Sequence, residues 1–311
     1  MRSKEEVRRI ILKKNKGGFF ILKEGILAID KPFGITSFDV IFKLRKILNI
    51  KKMGHSGTLD PIATGVLPIF FGKATKVISF LQNTDKEYVA KFKFGVETDT
   101  KDYTGKVIKT TKKVILKKEL EEKMKEFKGK IWQTPPMYSA VKVNGKPLYL
   151  LARKGEVVER KKRQIFIYSL KCVSFNETSQ EGELKVLCSS GTYIRSLICD
   201  LAKALESFGV LTELKRTKAC GFCLNECLTL EEVKNLKEKE MLGLKIYDKE
   251  YPFLNLKKIV LDELQAKQFM NGVKIKIKKP AEENMFRIYY KNFIGFAHYE
   301  DGFLKADRVF V

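Results

Sequence analysis

The densest run of chemistry-bearing residues occupies positions 54–68, GHSGTLDPIATGVLP. Three glycines and two prolines in these fifteen residues dictate a particular backbone path. They place Asp60, the only carboxylate of the run, at a turn between apolar segments. An aspartate with its ordinary pKa of about 3.9 is ionised at neutral pH. Asp60 can therefore serve as a base, a nucleophile or a fixed negative charge. The plain alternative is an Asx turn, since Asp-Pro is a common turn dipeptide. The chain has two histidines, His55 and His298, which excludes a His-rich metal site and leaves few ways to form a Ser-His-Asp triad. Cys220, Cys223 and Cys227 have the spacing of half a metal site. Structural zinc takes four ligands, and Cys172, Cys188 and Cys199 fall inside strand and helix patterns. All six read as small buried hydrophobes, and no metal is expected.

The flanking segments must hold that run in place. Residues 25–30 (GILAID) form a short apolar strand ending at Lys31-Pro32. Thr36-Ser37 cap a helix whose Val40, Ile41, Leu44, Ile47 and Leu48 fall on one stripe, with Asp39 in the first turn where the helix dipole favours it. Residues 54–63 read as a loop, 65–71 as a buried strand and 74–81 as a short helix. From Tyr88, alternation of Tyr88, Ala90, Phe92 and Phe94 with Lys91 and Lys93 indicates a strand. A charged amphipathic helix is expected over 116–127, an irregular stretch over 133–155, and strands over 164–175 and 184–189. Residues 192–207 read as a helix with Ile194, Leu197, Ile198, Leu201 and Leu205 on one face. Thr229 and Glu232 form a capping box. A last helix over 261–270 precedes short strands at 273–277, 293–299 and 308–311. The mixed order of elements indicates an α+β fold.

At 311 residues, with 44% hydrophobic and 32% charged, the chain can bury a real core and divides naturally into two domains. The formal net charge of +24 calls for a polyanionic partner, with nucleic acid, an anionic membrane surface or an acidic protein as the usual choices. Apolar runs are only a few residues long, far short of the about 20 needed to span a bilayer. Positions 1–24 carry eight basic and three acidic residues and do not read as an export signal. Together with the unpaired look of the cysteines, this suggests a cytoplasmic protein.

Motif by motif, the chain resembles the TruB family of pseudouridine synthases. Positions 54–68 are similar to the family signature, in which the aspartate is catalytic. Residues 25–37 (GILAIDKPFGITS) resemble the opening strand and loop. Residues 85–88 (DKEY) resemble the second motif, which supplies an active-site tyrosine. Residues 98–102 (TDTKD) with Gly105 resemble the strand end that follows. Residues 133–155 resemble the RNA-binding thumb insertion, 190–197 (SGTYIRSL) the third motif, and 214–216 (LKR) the strand that closes the uracil pocket. Residues 272–311 are similar to a small PUA domain. The resemblance covers about residues 25–311 and leaves the N-terminal arm outside.

The resemblance implies an α+β pseudouridine-synthase core with a bent mixed β-sheet and flanking helices, plus a small C-terminal mostly-β PUA domain. The domains would be a basic arm over 1–24, a catalytic domain over 25–250 with its thumb at 133–155, and an RNA-binding domain over 251–311. The implied activity is isomerisation of uridine 55 in the T loop of tRNA. Asp60 would be the catalytic carboxylate and Arg195 its partner. Tyr88 would stack on the uracil, Tyr193 and Leu214 would line the pocket, and Lys31 would support the nearby loop. His55 would fill the space left when T-loop bases turn outward. Each residue has a plainer alternative. Arg195 could be solvated on a helix face, Tyr88 a half-buried strand residue, Lys31 a surface lysine and His55 a locally bonded turn residue. The isomerisation consumes no electrons, phosphate or external group, so no cofactor is expected. The T-stem loop of tRNA is the expected partner, with no membrane, no obligate protein partner and a monomeric state. Two other functions fit the same motifs: a guide-dependent, dyskerin-like rRNA synthase, and a chaperone that refolds the tRNA elbow.

Overall fold

The computed structural model describes residues 23–81, 84–143, 145–278 and 284–310. The expected basic arm lies outside the described residues except for Lys23 and Glu24. No helix among the described residues is long and apolar enough to cross a membrane.

Strand β1 (Gly25–Lys31) leads through a loop into the helix Ser37–Leu48. This helix begins as expected. Asp39 N–H donates to Thr36 Oγ1 at 3.1 Å, and Thr36 N–H donates to the Asp39 carboxylate at 2.9 Å. Each bond satisfies an N–H that the helix cannot. Val40, Ile41, Leu44 and Leu48 are buried, and the exposed face carries Phe38 and Phe42. Then come β2 (Met53–His55), β3 (Ala63–Phe71), a 3-10 helix over Gly72–Leu81, β4 (Lys86–Phe94) and the ribbon β5 (Val96–Thr98) with β6 (Val107–Thr110). The helix Lys117–Glu126 precedes β7 (Gly129–Gln133). The expected thumb holds a small hairpin of β8 (Lys142–Val143) and β9 (Lys146–Pro147), and one short helix, Leu148–Arg153. Strands β10 (Arg163–Asn176) and β11 (Glu181–Cys188) lead to the helix Ile194–Ala204, then β12 (Gly209–Ala219) and β13 (Phe222–Cys223).

Nine of these strands form one sheet in the order β1-β3-β12-β4-β11-β10-β7, with β2 on β3 and β13 on β12, while β5-β6 and β8-β9 stand as separate two-stranded ribbons. All neighbours are antiparallel except β3 and β12, which run parallel over Ala63–Gly65 against Leu214–Arg216. That crossing brings a strand from late in the chain against the segment that follows Asp60. Gly65 makes it possible. Its φ is +101°, and a Cβ there would lie 2.2 Å from the Arg216 carbonyl oxygen.

After the helix Leu230–Glu238, capped by Thr229 and Glu232 as expected, the chain builds a second sheet. Its order is β14 (Lys258–Val260), β16 (Met285–Tyr290), β17 (Asn292–Glu300), β18 (Phe303–Val309) and β15 (Ile275–Lys276), with the helix Glu263–Met270 packed against it. This is a PUA-like module. The expected strand over 273–277 shrinks to two residues, and the last strand begins at Phe303 instead of 308. β14 and β16 were not expected; β14 is a three-residue, largely exposed edge strand, and β16 forms a hairpin with β17. Three apolar cores result. One lies under the large sheet and one inside the C-terminal module. The third joins the two units, through Ile26, Phe70, Phe222, Tyr251, Phe296 and Phe310.

Candidate active site

The Asp60 turn is gripped from both sides by the segment that opens the chain. Leu59 N–H donates to Ser37 Oγ at 2.9 Å, and Ser37 Oγ donates back to the Leu59 carbonyl at 3.2 Å. On the other side Gly34 N–H reaches the Pro61 carbonyl at 2.9 Å. Lys31 Nζ donates to the carbonyls of Ile35, Pro32 and Pro61 at 2.6, 2.9 and 3.3 Å. Lys31 is 0% exposed, which overturns its reading as a surface lysine and agrees with loop support. The Asp60 carbonyl accepts from Ala63 N–H at 3.0 Å and closes the turn.

The Asp60 carboxylate turns to Arg195, with Oδ2 at 2.8 Å from Nη2. Arg195 is 4% exposed, so it is not a solvated helix residue. Its fork is fully directed. Nη1 donates to the Thr100 carbonyl at 2.9 Å and Nη2 to the Tyr138 carbonyl at 2.7 Å, while the Asp102 carboxylate lies 3.5 Å from Nη1. Asp102 is itself held by the hydroxyls of Thr100 and Thr104. Burial pushes the Asp60 pKa up from the ordinary aspartate value; Arg195 pulls it back down, and Asp102 adds to the rise.

Asp60 and Arg195 border a cavity of about 240 Å³, lined also by Tyr88, Tyr193, Leu214 and Lys86. It is smaller than the 300–1,000 Å³ usual for drug-sized ligands and suits a fragment such as a single base. The Asp60 side chain is 37% exposed and is one of the residues lining this cavity. A larger hollow of about 500 Å³ near the helix Lys117–Glu126 is lined by Lys and Glu side chains over the apolar Ile115 and Leu205 and lacks such convergence. Tyr88 is buried on β4, opposite Arg216 of β12, and burial raises its phenol pKa. Tyr193 is set by Gln133 at the end of β7. Gln133 Oε1 accepts from Tyr193 N–H at 2.7 Å, and its Nε2 donates to the Tyr193 carbonyl at 3.0 Å.

Five of the seven expected residues, Asp60, Tyr88, Tyr193, Arg195 and Leu214, thus meet at one cavity. Lys31 stands behind the loop. His55 lies on β2, half-buried, outside the lining residues. Burial and Arg216 push its pKa down, which favours the neutral imidazole. Sequence reasoning missed Asp102, Gln133, Lys86 and Arg216. Asp102 lies inside a segment it singled out, and Arg216 inside the LKR stretch, but neither had a visible partner there. Cys220 packs against Ser56 Oγ at 3.0 Å, and Cys227 Sγ bonds the Cys223 carbonyl. No cluster of metal-binding side chains is present among the described residues.

Known proteins are similar to this chain in sequence and in fold. Residues 45–194 match the model of the TruB family pseudouridylate synthase N-terminal domain, and residues 258–310 match that of the pseudouridine synthase II TruB C-terminal region. The tRNA pseudouridine synthase B of Staphylococcus saprophyticus is 42% identical over 257 residues, covering 80% of this chain and 84% of the relative. The corresponding protein of Clostridium tetani is 43% identical over 277 residues, covering 87% and 94%. Among solved structures, a chain of a Cbf5-Nop10-Gar1 complex superposes with a TM-score of 0.73 at 24% identity, covering 100% of this chain and 88% of that one. At that identity the likeness concerns the fold.

Proposed function

Because the chain belongs to the TruB family of pseudouridylate synthases, we propose that it converts uridine 55 in the T loop of tRNA to pseudouridine, with Asp60 as the catalytic carboxylate. The observation that carries this reading is the ion pair between Asp60 and the buried Arg195 at a base-sized cavity bordered by Tyr88 and Tyr193. In the reaction the C1′–N1 bond breaks, uracil turns, and a C1′–C5 bond forms. C5 loses a proton and N1 gains one, so atoms and electrons balance without an external reagent. Asp60 supplies the negative charge at the sugar–base junction. Arg195 keeps that carboxylate oriented and ionised, since a lone buried charge is costly. An extruded base finds an aromatic face in Tyr88.

Residues 25–250 would form the catalytic unit, 251–311 a second RNA-binding unit, and 133–155 a thumb over the cavity. Tyr138 and Ser139 of that segment already reach the site. His55 would stand where displaced T-loop bases leave a gap. The enzyme would work in the cytoplasm as a monomer, without guide RNA or protein partners. The test is incubation of purified protein with an unmodified tRNA transcript, followed by mapping of pseudouridine. Modification at position 55 alone supports the proposal. Modification that requires guide RNA, or none at all on bare tRNA, would overturn it. Refolding of tRNA by Asp60→Asn would reveal an additional chaperone role.

A further inference from the structure

Two cations in the cavity wall make no ion pair with a carboxylate among the described residues. Arg216 is 0% exposed. Its Nε donates to the Val66 carbonyl at 2.8 Å and its Nη2 to the Gly57 carbonyl at 3.1 Å. Its Nη1 is buried without a well-formed hydrogen bond among the described residues, although the guanidinium lies close enough to the Tyr88 phenol to lower its pKa by charge and by hydrogen bonding. Lys86 is nine-tenths buried beside it, and its Nζ donates to the Thr84 carbonyl at 3.2 Å. Among the described residues neither cation makes an ion pair with a carboxylate, whereas Arg195 has two. The two converge at one place. A Cβ on Gly57 would lie 3.2 Å from Lys86 Cε, 3.5 Å from Arg216 Nη1 and 4.0 Å from Lys86 Nζ. Gly57, Lys86 and Arg216 all line the cavity that holds Asp60.

Buried charge without a partner is costly, and buried donors are nearly always satisfied. The chemistry that answers both is an anion with several acceptor oxygens, which a guanidinium and an ammonium grip well. Asp60 is already committed to Arg195, and Asp85 acts on Lys86 without forming an ion pair with it, which leaves the place for an anion brought by the ligand. We propose that Lys86 and Arg216 form a binding site for a phosphodiester adjoining the flipped target nucleotide, with Lys86 in direct contact and Arg216 behind it. This rests on the RNA-substrate reading above and adds the group by which the nucleotide's backbone is held. Gly57 keeps the wall open to that backbone, since any side chain there would meet both cations. Burial and the Arg216 charge push the Lys86 pKa down, a bias that a bound anion relieves.

A protein-by-RNA cycle tests the site. T-arm stem-loops carry one uncharged methylphosphonate linkage, either 5′ or 3′ to the target uridine. They are bound to wild type, Lys86→Gln and Lys86→Arg, with thermal melts to confirm folding. For wild type, one of the two linkages should weaken binding about tenfold. The same linkage should weaken Lys86→Gln less than twofold, and Lys86→Arg should retain most of the wild-type response. Equal weakening of wild type and Lys86→Gln by both linkages, or weakening by neither, would overturn the proposal. Pseudouridine formation on the unmodified stem-loop, scored in parallel, tests the underlying function separately.

Discussion

At the scale of single residues, the site is a chain of opposite charges, Asp60–Arg195–Asp102, sealed by carbonyls and hydroxyls. Asp60→Asn keeps the shape and removes the charge. Its turnover should fall by more than about 10³-fold, the scale seen when a central catalytic group is removed. Affinity for tRNA should stay near wild type, because binding is spread over many basic contacts; retained turnover would remove Asp60 from its role. Arg195→Ala leaves two carboxylates facing each other without their cation. Breaking a buried pair this way costs about 3–5 kcal/mol, so denaturant midpoints should drop along with activity. A variant as stable as wild type would mean that the arginine contributes nothing to the fold.

At the scale of elements, the segment between β1 and its helix holds the Asp60 turn. Ser37 is buried at the helix start, and both its hydrogen bonds go to Leu59, one residue before Asp60. Ser37→Ala should cost about 1–3 kcal/mol, since Leu59 keeps a buried N–H and carbonyl unsatisfied. It should lower kcat more than it raises KM, because the turn loosens while the RNA surface is intact. Steady-state kinetics would show this, and a pure KM effect would contradict it. Lys31 adds a pH signature. Burial pushes its pKa down to about 8 from the ordinary 10.5. The native state therefore releases this proton before the unfolded chain does. The burial penalty is complete below about pH 8 and fades as pH rises toward 10.5. In urea melts, wild type should gain stability relative to Lys31→Met across that window. A constant difference would show that Lys31 does not titrate there.

At the scale of the whole molecule, the third apolar core fixes the PUA-like module to the back of the large sheet. Arg287 strengthens the joint. It pairs with Glu250 at 3.3 Å, and its Nε and Nη2 donate to the Leu256 and Leu254 carbonyls. The linker is thus a packed seam, and the whole chain, N-terminal arm included, carries a formal net charge of +24. The arm before Gly25 would extend the basic surface. Deleting it should leave the modified uridine unchanged and weaken binding. The slope of log affinity against log salt should become shallower by about 0.7–0.9 per lost phosphate contact. An unchanged slope would mean that the arm does not touch RNA, and a different modified uridine would mean that it takes part in selecting the site.

The sequence by itself determined what is local or carried by a contiguous motif. The helix start at Thr36-Ser37 and the alternation around Tyr88 obey rules that a few neighbouring residues enforce. The motifs around Asp60, Tyr88, Arg195 and Leu214 were legible as a family resemblance. Tertiary structure decided what depends on residues far apart in the chain. Lys31 reads as an ordinary lysine until Ile35 and Pro61 close over it. Gln133 becomes a clamp only because β7 ends beside Tyr193. Arg216 becomes a buried cation only because β12 crosses parallel to β3 at Gly65. In the C-terminal sheet, β17 over Asn292–Glu300 was legible as the expected strand at 293–299, whereas the short edge strand β14 and its neighbour β16 were not. Charge burial and orphaned donors are properties of the enclosure, and no spacing along the chain records them.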